Sequence, residues 1–424
     1  MYVKAVILAA GKGERLEPIT HTRPKPLIPI LNKPLLYYIL DALRVINVEE
    51  VFVIVSYMKN KIIESVNEYS RKNKIRIRVI DQGEPLGTGH ALKVLEPHIN
   101  EDFILIYGDI FFKEHVLAKL AKIKPPAMSL VHVSNPKEYG VVVTRGEFIV
   151  DIIEKPKEEP PSNTINAGIY YLTPDIFSSL DRIEKSPRGE YELTDALKNM
   201  IVENAKIRYL ILGDNEWFEI GKPWDILNLH ERLMKNIQET RIDGEVEDYV
   251  RIKGPVIIEE GALIRSGSYI IGPVYIGKET IIGPNSYIRP YSVIGNYVKI
   301  GNAVEIKNST IMEHVRIQHL SYVGDSIICE HVNFGAGTIT ANLRFDEKEV
   351  KVTIKGKRIT SNRNKLGAIV GGYVKTGINV SLMPGVKIGA YSWISPGAIV
   401  DKDVPKNTFL RLKTEYYYDN LPAS

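Results

Sequence analysis

Two glycines and two cations follow the first hydrophobic run of the chain, in the sequence LAAGKGERLEPITHTRPKPL. Gly11 and Gly13 allow the backbone to turn tightly and present N–H groups to an anion, and Arg15 and Lys25 can offset phosphate charge. The spacing matches neither the dinucleotide-binding fingerprint nor a Walker P-loop. Taken alone, these residues indicate either a phosphate-binding loop or an ordinary loop.

Other polar residues follow later hydrophobic runs. Gln82 opens the stretch QGEPLGTGHAL, and its amide could pair with the imide edge of a pyrimidine. Asp109 ends the stretch YGD and offers the hard oxygen ligands that suit Mg²⁺. The carboxylates of Glu154 and Glu219, each taken singly, are more typical of a solvated surface than of a site.

The elements that must position these residues alternate up to about residue 240. Strand-like runs such as VKAVILAA and VFVIVS are each followed by a helical run. This order predicts an α/β domain over residues 1–240, with a Rossmann-like, mostly parallel mixed sheet. Ligands bind such sheets at the carboxyl ends of the strands, which is where the polar residues lie.

A six-residue period replaces this alternation in the second half. Isoleucine recurs from Ile258 to Ile306 in steps of six, and the register returns from Val370 to Val400. The period predicts an all-β domain of hexapeptide repeats, a parallel β-helix over residues 241–405, followed by a tail over 406–424. One step beyond Met312 lies Gln318, with His319 beside it, so we expect the apolar ladder to break there.

The ordered motifs of the first 230 residues resemble those of the sugar-1-phosphate nucleotidyltransferases: LAAGxGxRLxP, PKPL, LGTGHAL, YGD, EKP, NAGIY and IGKPW. The resemblance implies in-line attack of a sugar 1-phosphate on the α-phosphorus of a nucleoside triphosphate. It implies four sets of residues: nucleotide-binding Leu8, Ala10, Gly11, Gly13, Arg15, Lys25, Gln82, Gly87 and Thr88; catalytic Lys25 and Arg15; sugar-binding Gly140, Glu154 and Asn166; and Mg²⁺-binding Asp109 and Glu219. Glu219 replaces the shorter Asp or Asn that is usual at the second metal position in the family.

HLSYVGD followed by VNFGAGTITAN resembles the acetyltransferase domain of the bifunctional enzymes that make UDP-N-acetylglucosamine. In that family the β-helix is left-handed and trimeric. By resemblance, His319 is the general base that takes a proton from the attacking amine. The resemblance also implies hexosamine-phosphate binding by Arg289, Lys307, Tyr322 and Asn333, and acetyl-CoA binding by Ala336, Asn342 and Lys348. A histidine that only fills a coil corner is the alternative for His319.

Composition restricts the classes of protein. The 424 residues are 44% hydrophobic and carry a net charge of +4, without a basic stripe that would suggest nucleic acid. The one cysteine, Cys329, excludes an intramolecular disulfide and fits a reducing compartment. The N-terminal apolar run is too short for a signal peptide, and no stretch suggests a membrane span. We therefore expect a cytoplasmic protein that works on small molecules, and the resemblance of the second half implies a homotrimer.

The sequence predicts a bifunctional enzyme that acetylates a hexosamine 1-phosphate with acetyl-CoA and joins a sugar 1-phosphate to UMP or dTMP from UTP or dTTP. Two alternatives stay open: a nucleotidyltransferase whose β-helix is structural, and a non-catalytic subunit of a nucleotide-exchange factor. The choices between uracil and thymine and between glucosamine and galactosamine are also open, because one methyl or one hydroxyl orientation separates each pair.

Overall fold

The computed structural model describes residues 3–421. Contacts divide the chain into two compact units. The first unit holds the residues up to Gly13 together with Arg23–Gly221, and the second holds Glu14–Thr22 together with the residues from Lys222 onward. The expected domain boundary at residue 240 stays a prediction. No helix among residues 3–421 is long and apolar enough to cross a membrane.

Within residues 3–421, six α-helices and thirteen strands, numbered in chain order, build the first unit. The helices are α1 (Leu35–Val45), α2 (Lys59–Asn73), α3 (Thr88–Lys93), α4 (His115–Leu120), α5 (Asp175–Leu180) and α6 (Leu193–Val202). The strands are β1 (Lys4–Leu8), β2 (Pro29–Ile30), β3 (Lys33–Pro34), β4 (Glu50–Val55), β5 (Arg76–Asp81), β6 (Phe103–Tyr107), β7 (Ile110–Phe112), β8 (Ala127–His132), β9 (Gly140–Arg145), β10 (Phe148–Glu154), β11 (Thr164–Leu172), β12 (Arg208–Ile211) and β13 (Trp217–Glu219).

Nine of these strands form one mixed sheet in the order β5-β4-β1-β6-β11-β8-β12-β10-β9. Strands β5, β4, β1 and β6 run parallel, and β11 pairs antiparallel with β6 and β8. All six residues of β4 are buried, as expected for a central strand covered on both faces. The prediction of a mixed sheet is confirmed, and the parallel strands carry the predicted motifs at their carboxyl ends.

The second unit begins with helix α7 (Pro223–Met234) and continues as short parallel strands in three sheets. The first sheet contains β14 (Arg241–Ile242), β17 (Val256–Ile258), β20 (Val274–Ile276), β23 (Ser292–Ile294), β26 (Thr310–Ile311), β29 (Ile327–Ile328), β34 (Ile369–Val370) and β37 (Lys387–Ile388). The second contains β15 (Glu245–Val246), β18 (Leu263–Ile264), β21 (Ile281–Ile282), β24 (Lys299–Asn302), β27 (Arg316–His319), β30 (Asn333–Phe334), β35 (Lys375–Thr376), β38 (Trp393–Ile394) and β40 (Phe409–Leu410). The third contains β16 (Arg251–Lys253), β19 (Tyr269–Ile271), β22 (Tyr287–Ile288), β25 (Glu305–Lys307), β28 (Tyr322–Gly324), β31 (Ile339–Thr340), β36 (Ser381–Leu382) and β39 (Ile399–Val400). Consecutive strands visit the three sheets in turn, which is the pattern of a parallel β-helix.

The isoleucine ladder fills the interior of these coils. Every ladder residue from Ile258 to Ile306 is at most 1% exposed, and each pairs in register with the residue one coil away. The later positions from Val370 to Val400 are buried in the same way. The predicted apolar core is confirmed.

The predicted break of the ladder at His319 is wrong. Ile311, not Met312, pairs with Ile294, and Ile317 then pairs with Ile300. The corner that precedes Ile311 is one residue shorter than its predecessors, because the step from Ile306 to Ile311 is five positions instead of six. The inward position therefore passes to Ile317, which is 0% exposed, and the ladder continues without a gap.

Residues 343–365 form an insertion that interrupts the repeat and folds as an antiparallel hairpin, β32 (Lys351–Ile354) and β33 (Lys357–Thr360). A bridge between Leu343 and Lys365 closes its base. Val350 and Val352 of this segment are buried, so the insertion is a packed element.

Candidate active sites

Lys25 and Asp109 form an ion pair, with Lys25 Nζ 2.6 Å from Asp109 Oδ2. Lys25 is 8% exposed and lies in a short 3₁₀ turn. Asp109 follows β6, where the Gly108 N–H donates to the carbonyl of Leu8 at 2.9 Å. A Cβ atom at Gly108 would lie 2.7 Å from that carbonyl oxygen, so the close approach requires glycine. The ends of β1 and β6 therefore bring Leu8, Lys25 and Asp109 together.

Glu219 lies beside Asp109 along the backbone. Glu219 pairs with Ile110 across β13 and β7, and the Ile220 N–H donates to the carbonyl of Asp109 at 3.1 Å. Residues 3–421 contain no group of three or more His, Cys, Asp or Glu side chains that could enclose a metal ion. Mg²⁺ in phosphate-transfer sites is commonly held by one or two carboxylates and completed by substrate phosphates. The two carboxylates fit such a shared ion.

The glycine loop between β1 and the Lys25 turn is open. A Cβ atom on Gly11 would meet nothing within 4 Å, and Gly13 has a φ of +66°, in the left-handed region that favours glycine. Ala10 is buried, and its carbonyl accepts the Tyr57 N–H at 3.4 Å. Arg15 lies in a 3₁₀ turn, Glu14–Leu16, that groups with the second unit.

The side chain of Gln82 is 6% exposed and held through its nitrogen. Nε2 lies 3.2 Å from the Gly87 carbonyl and 3.0 Å from Nδ1 of His90. Gly87 has a φ of +112°, and a Cβ atom there would lie 2.5 Å from the carbonyl oxygen of Tyr191. Because both N–H groups of the amide face protein partners, the amide oxygen is the part suited to a pyrimidine N–H.

Gly140, Glu154 and Asn166 meet although the sequence separates them widely. Gly140 and Glu154 pair across β9 and β10, and a Cβ atom on Gly140 would lie 3.0 Å from Glu154 Oε2 and 3.7 Å from the Asn166 Cβ. Burial raises the pKa of the Glu154 carboxyl, which accepts hydrogen bonds from Thr194 Oγ1 and Arg188 Nη2, each at 3.2 Å. The cluster combines a small gap with polar groups on its walls.

In the second unit, one buried carboxylate gathers several predicted residues. Asp325 is 2% exposed. It accepts hydrogen bonds from Lys307 Nζ at 2.8 Å, from Asn308 Nδ2 at 2.8 Å and from Asn342 Nδ2. Arg363, at the end of the hairpin insertion, lies 3.8 Å away. We call Asp325 with Lys307, Asn308, Asn342 and Arg363 the Asp325 cluster.

Tyr322 and Arg289 extend the Asp325 cluster along the third sheet. Asn342 Nδ2 donates to the Tyr322 hydroxyl at 3.1 Å, and burial raises the pKa of that phenol. A Cβ atom on Gly324 would lie 2.3 Å from the Tyr322 hydroxyl oxygen, so only glycine allows this approach. Arg289 Nη1 lies 2.8 Å from a carboxylate oxygen of Glu305, one strand from Tyr322.

Helix α7 also joins the Asp325 cluster. Glu231 lies 2.6 Å from Arg363 Nη2 and accepts a hydrogen bond from Asn308 at 2.9 Å. Asn228 Oδ1 accepts from Arg363 Nη1 at 2.5 Å. The helix that opens the second unit is thereby tied to the coil that carries the predicted acetyl-transfer residues.

Four of the residues predicted for acetyl transfer lie outside both the Asp325 cluster and its extension by Tyr322 and Arg289. His319 is exposed at the end of β27, and among residues 3–421 its ring has no hydrogen-bond partner. Asn333 lies on the outer face of the second sheet, one coil from Arg316. The carbonyl of Ala336 accepts a hydrogen bond from the Asn379 N–H at 2.7 Å. The backbone N–H of Lys348 donates to Asp346 Oδ1 at 3.3 Å. None of the four hydrogen-bonds to Asp325.

Comparison with known proteins identifies the family. The nucleotidyl transferase family model matches residues 4–236, and the model of the GMPPB C-terminal domain matches residues 270–366. A bifunctional sugar-1-phosphate nucleotidylyltransferase/acetyltransferase of Sulfurisphaera tokodaii is 53% identical over 97% of this chain and 100% of that protein. This chain belongs to the bifunctional sugar-1-phosphate nucleotidylyltransferase/acetyltransferases. The bifunctional protein GlmU of Methanocaldococcus jannaschii is 47% identical over 98% of this chain and 99% of its own. A crystal structure of UDP-glucose pyrophosphorylase complexed with UDP-glucose aligns with a TM-score of 0.48 and 25% identity, over 54% of this chain and 97% of that one.

Membership in the bifunctional nucleotidylyltransferase/acetyltransferase family confirms the prediction of an enzyme with both transferase activities. It favours that prediction over a structural β-helix and over a regulatory subunit. Asp325, Arg188 and Thr194 were not predicted as site residues. Asp325 stands inside the HLSYVGD motif and could have been found there, whereas Arg188 and Thr194 lie outside the motifs that carry the family resemblance.

Proposed function

We propose that the chain acetylates a hexosamine 1-phosphate with acetyl-CoA and transfers a uridylyl or thymidylyl group from UTP or dTTP to the resulting sugar 1-phosphate. One observation carries the proposal: a single chain holds both a Lys25–Asp109 pair beside Glu219 and a separate cluster of Lys307, Tyr322 and Asn342. Two separate sets of polar groups suit two separate transfers.

Nucleotidyl transfer begins with attack of a sugar-phosphate oxygen on the α-phosphorus, and pyrophosphate leaves. Lys25 and Arg15 offset the repulsion between the two anions, which is the main barrier to their approach. Gly140, Glu154 and Asn166 hold the sugar, and Gln82 with Gly87 and Thr88 holds the base. Mg²⁺ bound by Asp109 and Glu219 would neutralise charge on the phosphates.

Acetyl transfer begins when the amine of the hexosamine attacks the thioester carbon of acetyl-CoA. His319 accepts the amine proton, and the thiol of coenzyme A leaves. The exposed ring has no hydrogen-bond partner among residues 3–421 and is accessible to a substrate amine, which supports this role. Arg289, Lys307, Tyr322 and Asn333 hold the sugar phosphate, while Ala336, Asn342 and Lys348 contact the coenzyme.

A left-handed β-helix that assembles as a cytoplasmic homotrimer completes the proposal. Exposed aromatic and aliphatic side chains on the outer faces of the coils support self-association: Tyr391 is 50% exposed, Trp393 54%, Ile399 69% and Phe409 47%. Sedimentation at three times the 47.8 kDa of one chain is expected, and a monomer at micromolar concentration would contradict the trimer.

Two variants test the two activities separately. Lys25→Ala should abolish pyrophosphate release and leave thiol release from glucosamine 1-phosphate and acetyl-CoA unchanged; His319→Ala should do the opposite. Lys59→Ala and Gln318→Ala are the matched controls, because Lys59 is an exposed lysine and Gln318 the exposed neighbour of His319. Near-normal pyrophosphate release by Lys25→Ala, or near-normal thiol release by His319→Ala, would refute the corresponding role. A panel of UTP and dTTP against glucosamine and galactosamine 1-phosphates identifies the substrates.

A further inference from the structure

A row of cations runs along the outer face of the second sheet. Lys299, Arg316, Asn333 and Lys375 are partners in register on four consecutive strands, β24, β27, β30 and β35. The next residue on each strand points inward and is buried, so the side chains of the row point outward. Adjacent strands lie about 4.8 Å apart, which places Lys299 and Arg316 side by side.

No carboxylate among residues 3–421 pairs with these three cations. Salt bridges elsewhere on the coils do pair lysine or arginine with acids, such as Lys307 with Asp325. The ring of Trp393 lies near one end of the row, with its centroid 6.0 Å from Lys375 Nζ. Like charges directly opposite each other on neighbouring strands are destabilising, so the row stores a repulsion that a bound anion would relieve.

A stack of rings borders the row at the preceding coil corner. Tyr297, His314, His331 and Tyr373 stack face to face, with ring centroids 4.9, 4.7 and 4.7 Å apart. The stack places tyrosine and histidine rings along one border of the row. Hydroxyl and imidazole groups at ring edges hydrogen-bond to oxyanions rather than stack on a base.

The row and the stack enclose a cavity of about 610 Å³, lined by Tyr297, Lys299, His314, Arg316, His331, Val332, Asn333 and Lys375. Its lining contains three permanent cations, one amide and no acid. A concave site with this lining suits an anion with several oxygens, whereas a cationic ligand would meet like charge.

We propose that this cavity, the cation groove, binds a phosphate-bearing anion. Phosphate oxygens accept from guanidinium, ammonium and amide groups at once, and a diphosphate is long enough to meet cations on more than one strand. Two sources carry this chemistry: the phosphates of coenzyme A and free pyrophosphate. Asn333 of the groove also belongs to the proposed hexosamine-phosphate site, so the proposal deepens the proposed acetyl transfer and rests on it. A failure of binding in the groove would leave the His319 test of acetyl transfer unaffected.

Binding to the full-length chain tests the proposal by calorimetry with three probes: coenzyme A, 3′-dephospho-coenzyme A and inorganic pyrophosphate. Arg316→Gln should weaken at least one probe by about tenfold or more, since a charge-assisted hydrogen bond is lost. Pyrophosphate also binds at the nucleotidyl site, but that binding is the same in the wild type and in Arg316→Gln. The difference in pyrophosphate binding between the two proteins therefore measures binding in the cation groove. Loss for coenzyme A but not for its dephospho form assigns the 3′-phosphate, and loss for pyrophosphate assigns the free anion.

Lys278→Gln is the matched control, because Lys278 is an exposed lysine on the same β-helix that lies 3.9 Å from an acid. It should leave binding of all three probes unchanged. Without ligand, Arg316→Gln should melt at or above the wild-type temperature, because a repulsion is removed. Unchanged binding of all probes in Arg316→Gln would overturn the proposal. So would a change in sedimentation without a change in binding, which would mark this face as a contact between copies of the chain.

Discussion

The Asp325 cluster makes a sharp prediction about stability. Asp325→Asn keeps the size of the side chain but removes its charge and turns an N–H group toward Lys307, which is itself a donor. Breaking one partner of a buried ion pair costs about 3–5 kcal/mol. Lys307 retains 19% of its side-chain exposure, so we take the lower end of that range, about 3 kcal/mol.

For a unit of about two hundred residues, this loss corresponds to a fall of about 6–12 °C in the melting temperature of the β-helix. The rate of acetyl transfer by Asp325→Asn should fall by about 100-fold, even at a temperature where the protein stays folded. The reason is that Lys307 and Asn342 both lose the carboxylate that accepts their hydrogen bonds. Differential scanning calorimetry and thiol release from glucosamine 1-phosphate measure the two effects. Pyrophosphate release should be unchanged.

Asp346→Asn provides the control. Asp346 is also an aspartate in an ion pair, 2.7 Å from Arg344 Nη2, but 41% of its side chain is exposed. Exposed ion pairs are screened by solvent and contribute little to stability, so the melting temperature should stay close to that of the wild type. If Asp325→Asn behaved like Asp346→Asn in both assays, the cluster would not anchor the site and the reasoning would be refuted.

Three further predictions concern other contacts. Lys355→Ala should lower nucleotidyl transfer about two- to fivefold, because Lys355 Nζ lies 2.6 Å from Glu14 in the phosphate-loop motif, and Glu14→Thr should restore the rate. The buried imidazole of His230, 2.9 Å from Thr310, has its pKa lowered to about 3 by burial. It stays neutral in the folded chain while the unfolded chain takes up a proton below about pH 6.5, so stability should fall as pH drops from 6.5 toward 3, by up to about 1.4 kcal/mol per pH unit. Asp109→Asn should raise the Mg²⁺ concentration for half-maximal nucleotidyl transfer by about tenfold or more.

Each has its own check. Pyrophosphate release by the Glu14 and Lys355 single and double variants tests the first, and a double variant slower than Lys355→Ala contradicts it. Melting temperatures between pH 6.5 and 5 test the second, since His230→Gln should flatten the slope; equal slopes contradict it. Mg²⁺ titrations test the third, where acetyl transfer by Asp109→Asn serves as the internal control and an unchanged requirement counts against a metal ligand.

Much of the first unit could be predicted because its motifs are local. A glycine loop after a strand predicts both the turn and its place at the sheet edge, and Lys25 and Asp109 indeed meet at the ends of β1 and β6. The meeting of Gly140 with Asn166 is different, since it depends on the pairing of β9, β10 and β11, which periodicity does not determine. The family resemblance predicted that Gly140 and Asn166 belong to one site, and the pairing of these strands in the sheet explains why they lie close together.

Arg188 and Thr194 were missed for a physical reason. Each contacts Glu154 only because the chain folds back across the sheet, and neither lies at the end of a predicted strand. An arginine in a polar loop and a threonine at the start of a helix are common surface residues. Nothing local separates them from others of their kind.

The error over the ladder has a more instructive cause, because counting in sixes assumes that every corner of the β-helix has the same length. Two corners are one residue short, between Ile306 and Ile311 and again between Val323 and Ile328. The residues at these corners, Asn308 and Asp325, adopt left-handed φ values of +44° and +49°, which Asn and Asp tolerate better than most residues.

The same short corners build the site. Asn308 and Asp325 lie one coil apart and hydrogen-bond at 2.8 Å, and Lys307, the residue before the first short corner, pairs with Asp325 at 2.8 Å. A corner of the regular length at either place would displace these side chains relative to their partners on the neighbouring coil. The apolar ladder therefore does not end at His319. His319 is exposed because it lies two residues after the inward-pointing Ile317, at the end of a strand whose register the short corner has shifted. Inserting one residue after Asn308 should lengthen the first short corner to the regular step, leave the second unchanged, and separate Lys307 from Asp325. Acetyl transfer should fall while the β-helix still folds, and full activity in that insertion variant would show that the short corner at Asn308 is irrelevant to catalysis.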